Sequence, residues 1–245
     1  LKANRSQGCS SSMALRDCVQ YLGAQPPFSW LGDDLKQFLF FGLEDSGKTT
    51  LLYSLKSPSL KDTSQLRHNP SFHYEEFTTH GFCIWDVPAK HWVEQWSLFY
   101  SYLKINAVFF VVQASRDSID NHDMIAHARK EIHHLLSEPE LRASAFIVIL
   151  NMHEDDSRHD YQDDEEALKH MLGLVDASGR SRSDRLRVCS LNCKTVKLSD
   201  SRWQKILHWI EEVSNKYPQV VPLSGGVSAL HDHREQLLKK NDGHT

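Results

Sequence analysis

No apolar stretch in this 245-residue chain approaches the ~20 residues that a membrane-spanning helix needs, the longest run being Ala107 to Val112. That excludes an integral helical membrane protein and leads us to expect a soluble one. Cysteine is sparse: Cys9, Cys18, Cys83, Cys189 and Cys193 are odd in number and lack framework spacing. A disulfide scaffold is thereby excluded, and free thiols in a reducing, intracellular (cytoplasmic) compartment are expected. An excess of basic charge is also missing. The net charge of −4 and a pI near 6.4 give no general electrostatic reason to bind nucleic acid or an anionic membrane. Fifteen histidines are present, but without cysteine pairs or an H-E-x-x-H arrangement they read as solvated or packing side chains. The acidic run from Glu154 to Glu166 lacks the glycine and ligand spacing of an EF-hand, so it reads as a loop and a helix N-terminus.

The chain does have material for one good core, with 40% hydrophobic and 24% charged residues. We read a single domain over residues 35–217 between an N-terminal extension (1–34) and a C-terminal tail (218–245). Residues 1–16 are basic, Ser-rich and free of acids. A polar tail explains them, and the alternative is the remnant of a mitochondrial or other organelle-targeting segment. Gly179 to Arg185 is expected to be a basic, flexible, solvated loop.

Apolar runs at Phe38–Phe41, Phe82–Val87, Ala107–Val112, Phe146–Leu150 and Arg187–Leu191 predict buried parallel strands. Tyr74–Thr79 predicts one more, hairpinned through Thr79-His80-Gly81. Helical patterns fall between them at Thr49–Lys56, Trp92–Leu103, Asp123–Leu136, Glu165–Leu172 and Ser201–Lys216. Such alternation predicts an α/β fold, a mostly parallel sheet with helices on both faces. Ligands of such sheets sit at the carboxyl ends of the strands.

Directly after the first strand, Gly42-Leu43-Glu44-Asp45-Ser46-Gly47-Lys48-Thr49 spells G-x-x-x-x-G-K-T, a phosphate-binding loop in the required strand–loop–helix setting. Glycines let successive N–H groups converge on a phosphate, and the following helix adds partial positive charge. Lys48 is expected to neutralise the β- and γ-phosphates and Thr49 to offer its hydroxyl to Mg2+. Thr50 and the loop residues Glu44, Asp45 and Ser46 complete the phosphate contacts.

With this loop, Trp85-Asp86-Val87 after a strand, and Glu138-Pro139-Glu140-Leu141-Arg142 before the strand that ends near Asn151, the chain resembles an Arf/Arl-type small GTPase over about Leu35 to Asn215. The resemblance implies the small-GTPase form of the P-loop NTPase fold, GTP or GDP with Mg2+ as ligands, and Asp86 as a metal residue acting through water. Phe28-Ser29-Trp30-Leu31 lies where the family carries an N-terminal amphipathic helix. No M-G-x-x-x-S/T lipidation signal accompanies it, so membrane contact is at most peripheral.

The departures from the family pattern carry the functional expectation. Asn69 stands where the first switch has a magnesium-ligating Thr, and Pro70 stiffens that loop. After Trp-Asp-Val the family has Gly-Gly-Gln, whereas this chain has Pro88-Ala89-Lys90. Ala89 thus replaces the glycine that meets the γ-phosphate, and Lys90 replaces the glutamine that orients the attacking water. An ammonium has three donors and no acceptor, so it cannot do that work. The guanine-reading motif becomes Asn151-Met152-His153-Glu154. Asn151 can bond the base edge, Met152 can cover the base, and Glu154 reaches the guanine N–H groups with one methylene too many. The last base loop matches Leu191-Asn192-Cys193-Lys194, with the backbone N–H of Cys193 toward the guanine oxygen.

Three readings stay open on the sequence alone. One is a catalytically impaired pseudo-GTPase, an interaction subunit of a larger assembly that meets protein partners through the switch-like regions and tails. Another is an active switch completed by a partner in trans, and the third is a P-loop kinase, for which an Arg-rich lid is lacking. Trp92, Trp96 and Phe99 at i, i+4 and i+7 of the helix after the altered switch are expected either in the core or on a partner surface.

Overall fold

A computed structural model describes residues 35–57, 73–89, 96–114, 121–152 and 161–218. The strands are β1 (Lys36–Gly42), β2 (His73–Phe77), β3 (Phe82–Asp86), β4 (Ile105–Gln113), β5 (Ala145–Asn151) and β6 (Leu186–Leu191). The helices are α1 (Lys48–Lys56), α2 (Ser97–Tyr102), α3 (His122–Ser137), α4 (Tyr161–Met171) and α5 (Ser201–Lys216). The six strands form one sheet in the order β2-β3-β1-β4-β5-β6. Neighbours are parallel except β2, which runs antiparallel to β3. The β2–β3 connection turns through a short 3-10 segment, Thr78–His80, and closes on Gly81 at φ 73°.

Strand alternation divides the core. On β1, Leu39 and Phe41 face a cluster with Trp85, Phe110 and Val148, covered by α2, α3 and α4. Phe38 and Phe40 face the opposite cluster, where Leu51, Leu52 and Leu55 of α1 and Trp203, Ile206 and Ile210 of α5 close the other side. Both faces of the central strands are buried, which is why those strands read as continuous apolar runs in the sequence. Asn121 caps α3 by accepting from Met124 N at 3.1 Å, and Asp200 caps α5 by accepting from Arg202 N at 2.8 Å.

Among the described residues the elements match the sequence expectations with two differences. Helix α4 begins at Tyr161, earlier than expected, so Glu165 and Glu166 lie within the helix and not at its start. The basic loop before β6 is largely exposed, as expected, but it is also tied to the domain: Val175 and Ser181 form an antiparallel bridge, and Arg182 Nε donates to Val175 O at 3.1 Å. Arg185 goes further, its guanidinium binding the carbonyls of Leu136 at 2.7 Å and Leu141 at 3.1 Å. The Leu136 carbonyl is one that a helix end leaves without an intrahelical partner, whereas the Leu141 carbonyl also accepts from Ser144 N at 3.0 Å. Of the two places expected for the aromatic stripe, the structure shows the core for Trp96 and Phe99. Trp96 is 1% exposed and stacks on Phe41 with ring centroids 4.5 Å apart, and Phe99 packs edge-on against Trp85. Both belong to the core and offer no partner surface. Trp92 lies outside the described residues, as do the N-terminal extension with Phe28 and Trp30 and the tail beyond residue 218. No helix among the described residues is long and apolar enough to cross a membrane.

Candidate nucleotide site

The site forms at the carboxyl end of β1, between its neighbours β3 and β4. Strand β1 ends on Gly42 at φ 142°, where a Cβ would lie 2.3 Å from the carbonyl oxygen of Val111 on β4. No side chain fits there, so the loop leaves the sheet in tight contact with the neighbouring strand. Gly47 precedes α1 at φ 100°, and a Cβ on it would meet Asn151 Nδ2 at 2.4 Å. Its place as N-cap leaves the first-turn N–H groups of α1 without a side-chain cap, open to an anion. Gly47→Ala adds both a clash and a left-handed φ that costs about 1–2 kcal/mol. It should therefore lower the melting temperature and abolish nucleotide binding together, which thermal melts with and without GDP will read.

Lys48 is 6% exposed, and its ammonium donates to Leu43 O at 2.7 Å and Ser46 Oγ at 3.3 Å. Burial pulls its pKa below the ordinary lysine value, while the charges of Asp86, Asp45 and Glu44 oppose that pull. Thr49 Oγ1 donates to Asp86 Oδ2 at 2.6 Å, so the two residues expected to serve a metal are in direct contact. The other carboxylate oxygen, Asp86 Oδ1, is buried and takes no hydrogen bond. Burial raises the Asp86 pKa, against Lys48, the Thr49 hydroxyl and His73. A buried oxygen lacking a donor beside a threonine hydroxyl suits a hard divalent cation with its water shell. Thr50 comes next on α1, half-buried.

Behind the loop, Asn151 joins two segments. Its Nδ2 donates to Ser46 O at 3.0 Å and its Oδ1 accepts from Cys193 N at 3.1 Å. The side chain is 4% exposed, which makes it a buried tie between the phosphate loop and the β6–α5 loop. The Cys193 N–H, expected to face the guanine oxygen, donates to Asn151 Oδ1 in this structure. Asn151 keeps one amide hydrogen with which to meet a base. Ser54 Oγ of α1 donates to Cys193 O at 2.7 Å and fixes the same loop from below. Burial pushes the Cys193 thiol pKa upward, so it is a packing group. Met152 packs half-buried at the edge of the core, and Asn192 Oδ1 accepts from Lys194 N at 2.9 Å to shape the turn. Ala89 is half-buried just past β3. Asn69, Lys90 and Glu154 lie outside the described residues.

The ADP-ribosylation factor family model matches residues 30–212. The chain belongs to the ADP-ribosylation factor family. Its six-stranded, mostly parallel sheet with helices is the P-loop GTPase fold of that family, and the domain is a GTP-binding Arf-like domain. Arf family GTPases generally bind GTP or GDP with Mg2+. The residues here fit those groups: a glycine cradle that a Cβ would fill, a buried lysine, an uncapped helix N-terminus and the bare Asp86 oxygen.

Sequence reasoning missed two features that bear on this Arf-like site. The first is a polar clamp on β2. His73 Nε2 lies 2.8 Å from Glu75 Oε1, Lys56 of α1 pairs with the same carboxylate, and Tyr53 OH approaches His73 Nδ1 at 3.4 Å. These groups bind the start of β2 to the helix that leaves the phosphate loop. A histidine and a glutamate two apart, ahead of an aromatic, do signal one strand face, but nothing in the sequence points to α1 as partner. The second is Trp96 Nε1, which donates to Pro88 O at 3.3 Å.

Proposed function

We propose that this Arf-like domain binds guanine nucleotide with little or no hydrolysis and acts as an intracellular interaction subunit of a larger assembly. The observation that carries the reading is the seam after β3. Asp86 stands ready for a cation, yet the next residues, Pro88-Ala89-Lys90, lack the family's glycines and glutamine, and the Pro88 carbonyl is held by buried Trp96. Proline restricts the backbone at the point where a γ-phosphate would draw the second switch inward. The clamp of His73 and Glu75 on α1 likewise supports a fixed attachment of β2. A domain held in this way meets protein partners through its switch-like segments and tails in one conformation, whichever nucleotide it carries.

Lys48, the loop N–H groups and the α1 N-terminus would hold the phosphates; Thr49 directly and Asp86 through water would hold Mg2+. When bound, Mg2+ supplies charge neutralisation on the phosphate oxygens. Lys90 brings a positive charge but no acceptor for a water proton, so it cannot orient a nucleophile. The intact Thr49–Asp86 pair favours the second reading, a GTPase completed by a partner's groups.

Single-turnover hydrolysis of radiolabelled GTP by the protein alone tests the first reading. The first reading expects a rate on the order of 10⁻⁴ per second or slower. Lys90→Gln should restore little, because Asn69 and Ala89 remain. Turnover of several GTP per minute by the unpartnered protein overturns it.

A further inference from the structure

Beyond Lys48, the buried positions of α1 are Leu51, Leu52, Ser54 and Leu55, and Ser54 is the polar exception among them at 7% exposed. A hydroxyl in the middle of a helix commonly returns to the carbonyl four residues back, which satisfies it locally. Ser54 instead donates across 139 positions to the carbonyl oxygen of Cys193, a buried hydrogen bond of 2.7 Å. Among the described residues no other group donates to that carbonyl. A buried carbonyl without a donor is costly, so this contact decides whether the Cys193 peptide can keep its place.

The other end of the same residue is held as well. Cys193 N donates to Asn151 Oδ1 at 3.1 Å, and Asn151 Nδ2 donates to Ser46 O at 3.0 Å. These bonds close a ring. Ser46 and Ser54 belong to the phosphate loop and the helix that leaves it, and between them they fix Cys193 at both its N–H and its C=O. Gly47 makes the approach possible, because a Cβ there would lie 2.4 Å from Asn151 Nδ2 and 3.6 Å from Cys193 Cβ. Elsewhere the β6–α5 loop bonds to itself: Asn192 accepts from Lys194 N at its side chain and from Thr195 N and Val196 N at its carbonyl. Those internal bonds set the shape of the turn, and the bonds at Cys193 set where it stands relative to the phosphate loop.

We propose that Ser54 is a positioning residue for the nucleotide base: by holding the Cys193 carbonyl it sets the spacing between the base loop and the phosphate loop, and so the fit of a guanine nucleotide that must meet both. The proposal rests on the nucleotide-binding reading of the site. Ser54 lies below the loop, away from the ligand, and takes no part in the chemical step. Only a ligand that reaches the base loop feels it, since the phosphates are held by Lys48 and the loop N–H groups.

The test compares wild type with Ser54→Ala, which removes the donor and puts the best helix former in its place, so α1 itself is not weakened. Titration calorimetry in Mg2+ measures GDP, which spans both loops, and pyrophosphate, which occupies the phosphate loop alone. Ser54→Ala should weaken GDP about threefold to tenfold, the factor that one hydrogen bond of ordinary net strength is worth, while pyrophosphate affinity stays within about twofold of wild type. Ser54→Thr restores the hydroxyl and should restore the wild-type ratio of the two affinities. That ratio is the informative quantity, because a merely structural role lowers both affinities together or lowers only the melting temperature. An unchanged ratio in Ser54→Ala overturns this inference and leaves the nucleotide reading intact, as does a Ser54→Thr protein that melts like wild type but keeps the ratio of Ser54→Ala. Failure of wild type to bind either GDP or pyrophosphate overturns the nucleotide reading and this inference with it.

Discussion

Lys48→Ala should abolish nucleotide binding outright. Wild-type protein at a GDP concentration about 100-fold above its Kd gains about 2.7 kcal/mol from the ligand, since only the folded state binds it. For a domain of this length that corresponds to a rise of roughly 5–10 °C in melting temperature. The variant should show no rise at all. Its own melting temperature, measured empty, should stay close to that of empty wild type. Removing a buried ammonium relieves a desolvation cost, which offsets the two hydrogen bonds lost at Leu43 O and Ser46 Oγ. That separation makes the experiment decisive, because a general loss of fold would lower both melts. A Lys48→Ala protein that still shows the full GDP-induced shift would remove the phosphate loop from the function.

The fold is legible in the sequence because its signals are local and mutually consistent. Phe38 to Phe41 is apolar on both faces, as a central parallel strand must be, and the glycine loop after it dictates a strand–loop–helix unit with an anion site at its turn. The site's glycines are equally readable from residue type and spacing, and Asp86 as a metal residue from the family resemblance, whereas its contact with Thr49 is seen only in the structure. The hidden part depends on which groups meet across the sheet. Asn151 is readable as a base-contacting residue, yet its tie between Ser46 O and Cys193 N depends on two loops more than 40 positions away on either side. The clamp of His73 and Glu75 is hidden for the same reason, since polar residues alternating on β2 suit a solvated edge as well as a strand bound to α1. The helical spacing of Trp96 and Phe99 states that they share a face and not what that face touches. Arg185 reads as part of a solvated basic loop because composition says nothing about a carbonyl cluster waiting at the end of α3.

Trp96 carries the second large effect, because it is both a core residue and the anchor of the altered switch. Its ring stacks on Phe41 and meets Phe110 edge-on at 6.2 Å, while its Nε1–H reaches the Pro88 carbonyl. Trp96→Ala empties a fully buried indole and should cost about 3–5 kcal/mol in denaturant unfolding. Trp96→Phe divides the two roles: it keeps the stack on Phe41 and removes only the donor to Pro88 O. It should cost roughly 1–3 kcal/mol, from the smaller ring and the carbonyl left without its partner. The informative readout is hydrogen exchange in peptides spanning residues 87–96. In wild type that exchange should be the same with GDP and with a non-hydrolysable GTP analogue, because the Pro88 anchor holds in both. In Trp96→Phe it should rise and become nucleotide-dependent, since the hydrogen bond that anchors the Pro88 carbonyl is then gone. Strong nucleotide dependence already present in wild type would show that the anchor releases, and the domain would then be a switch after all.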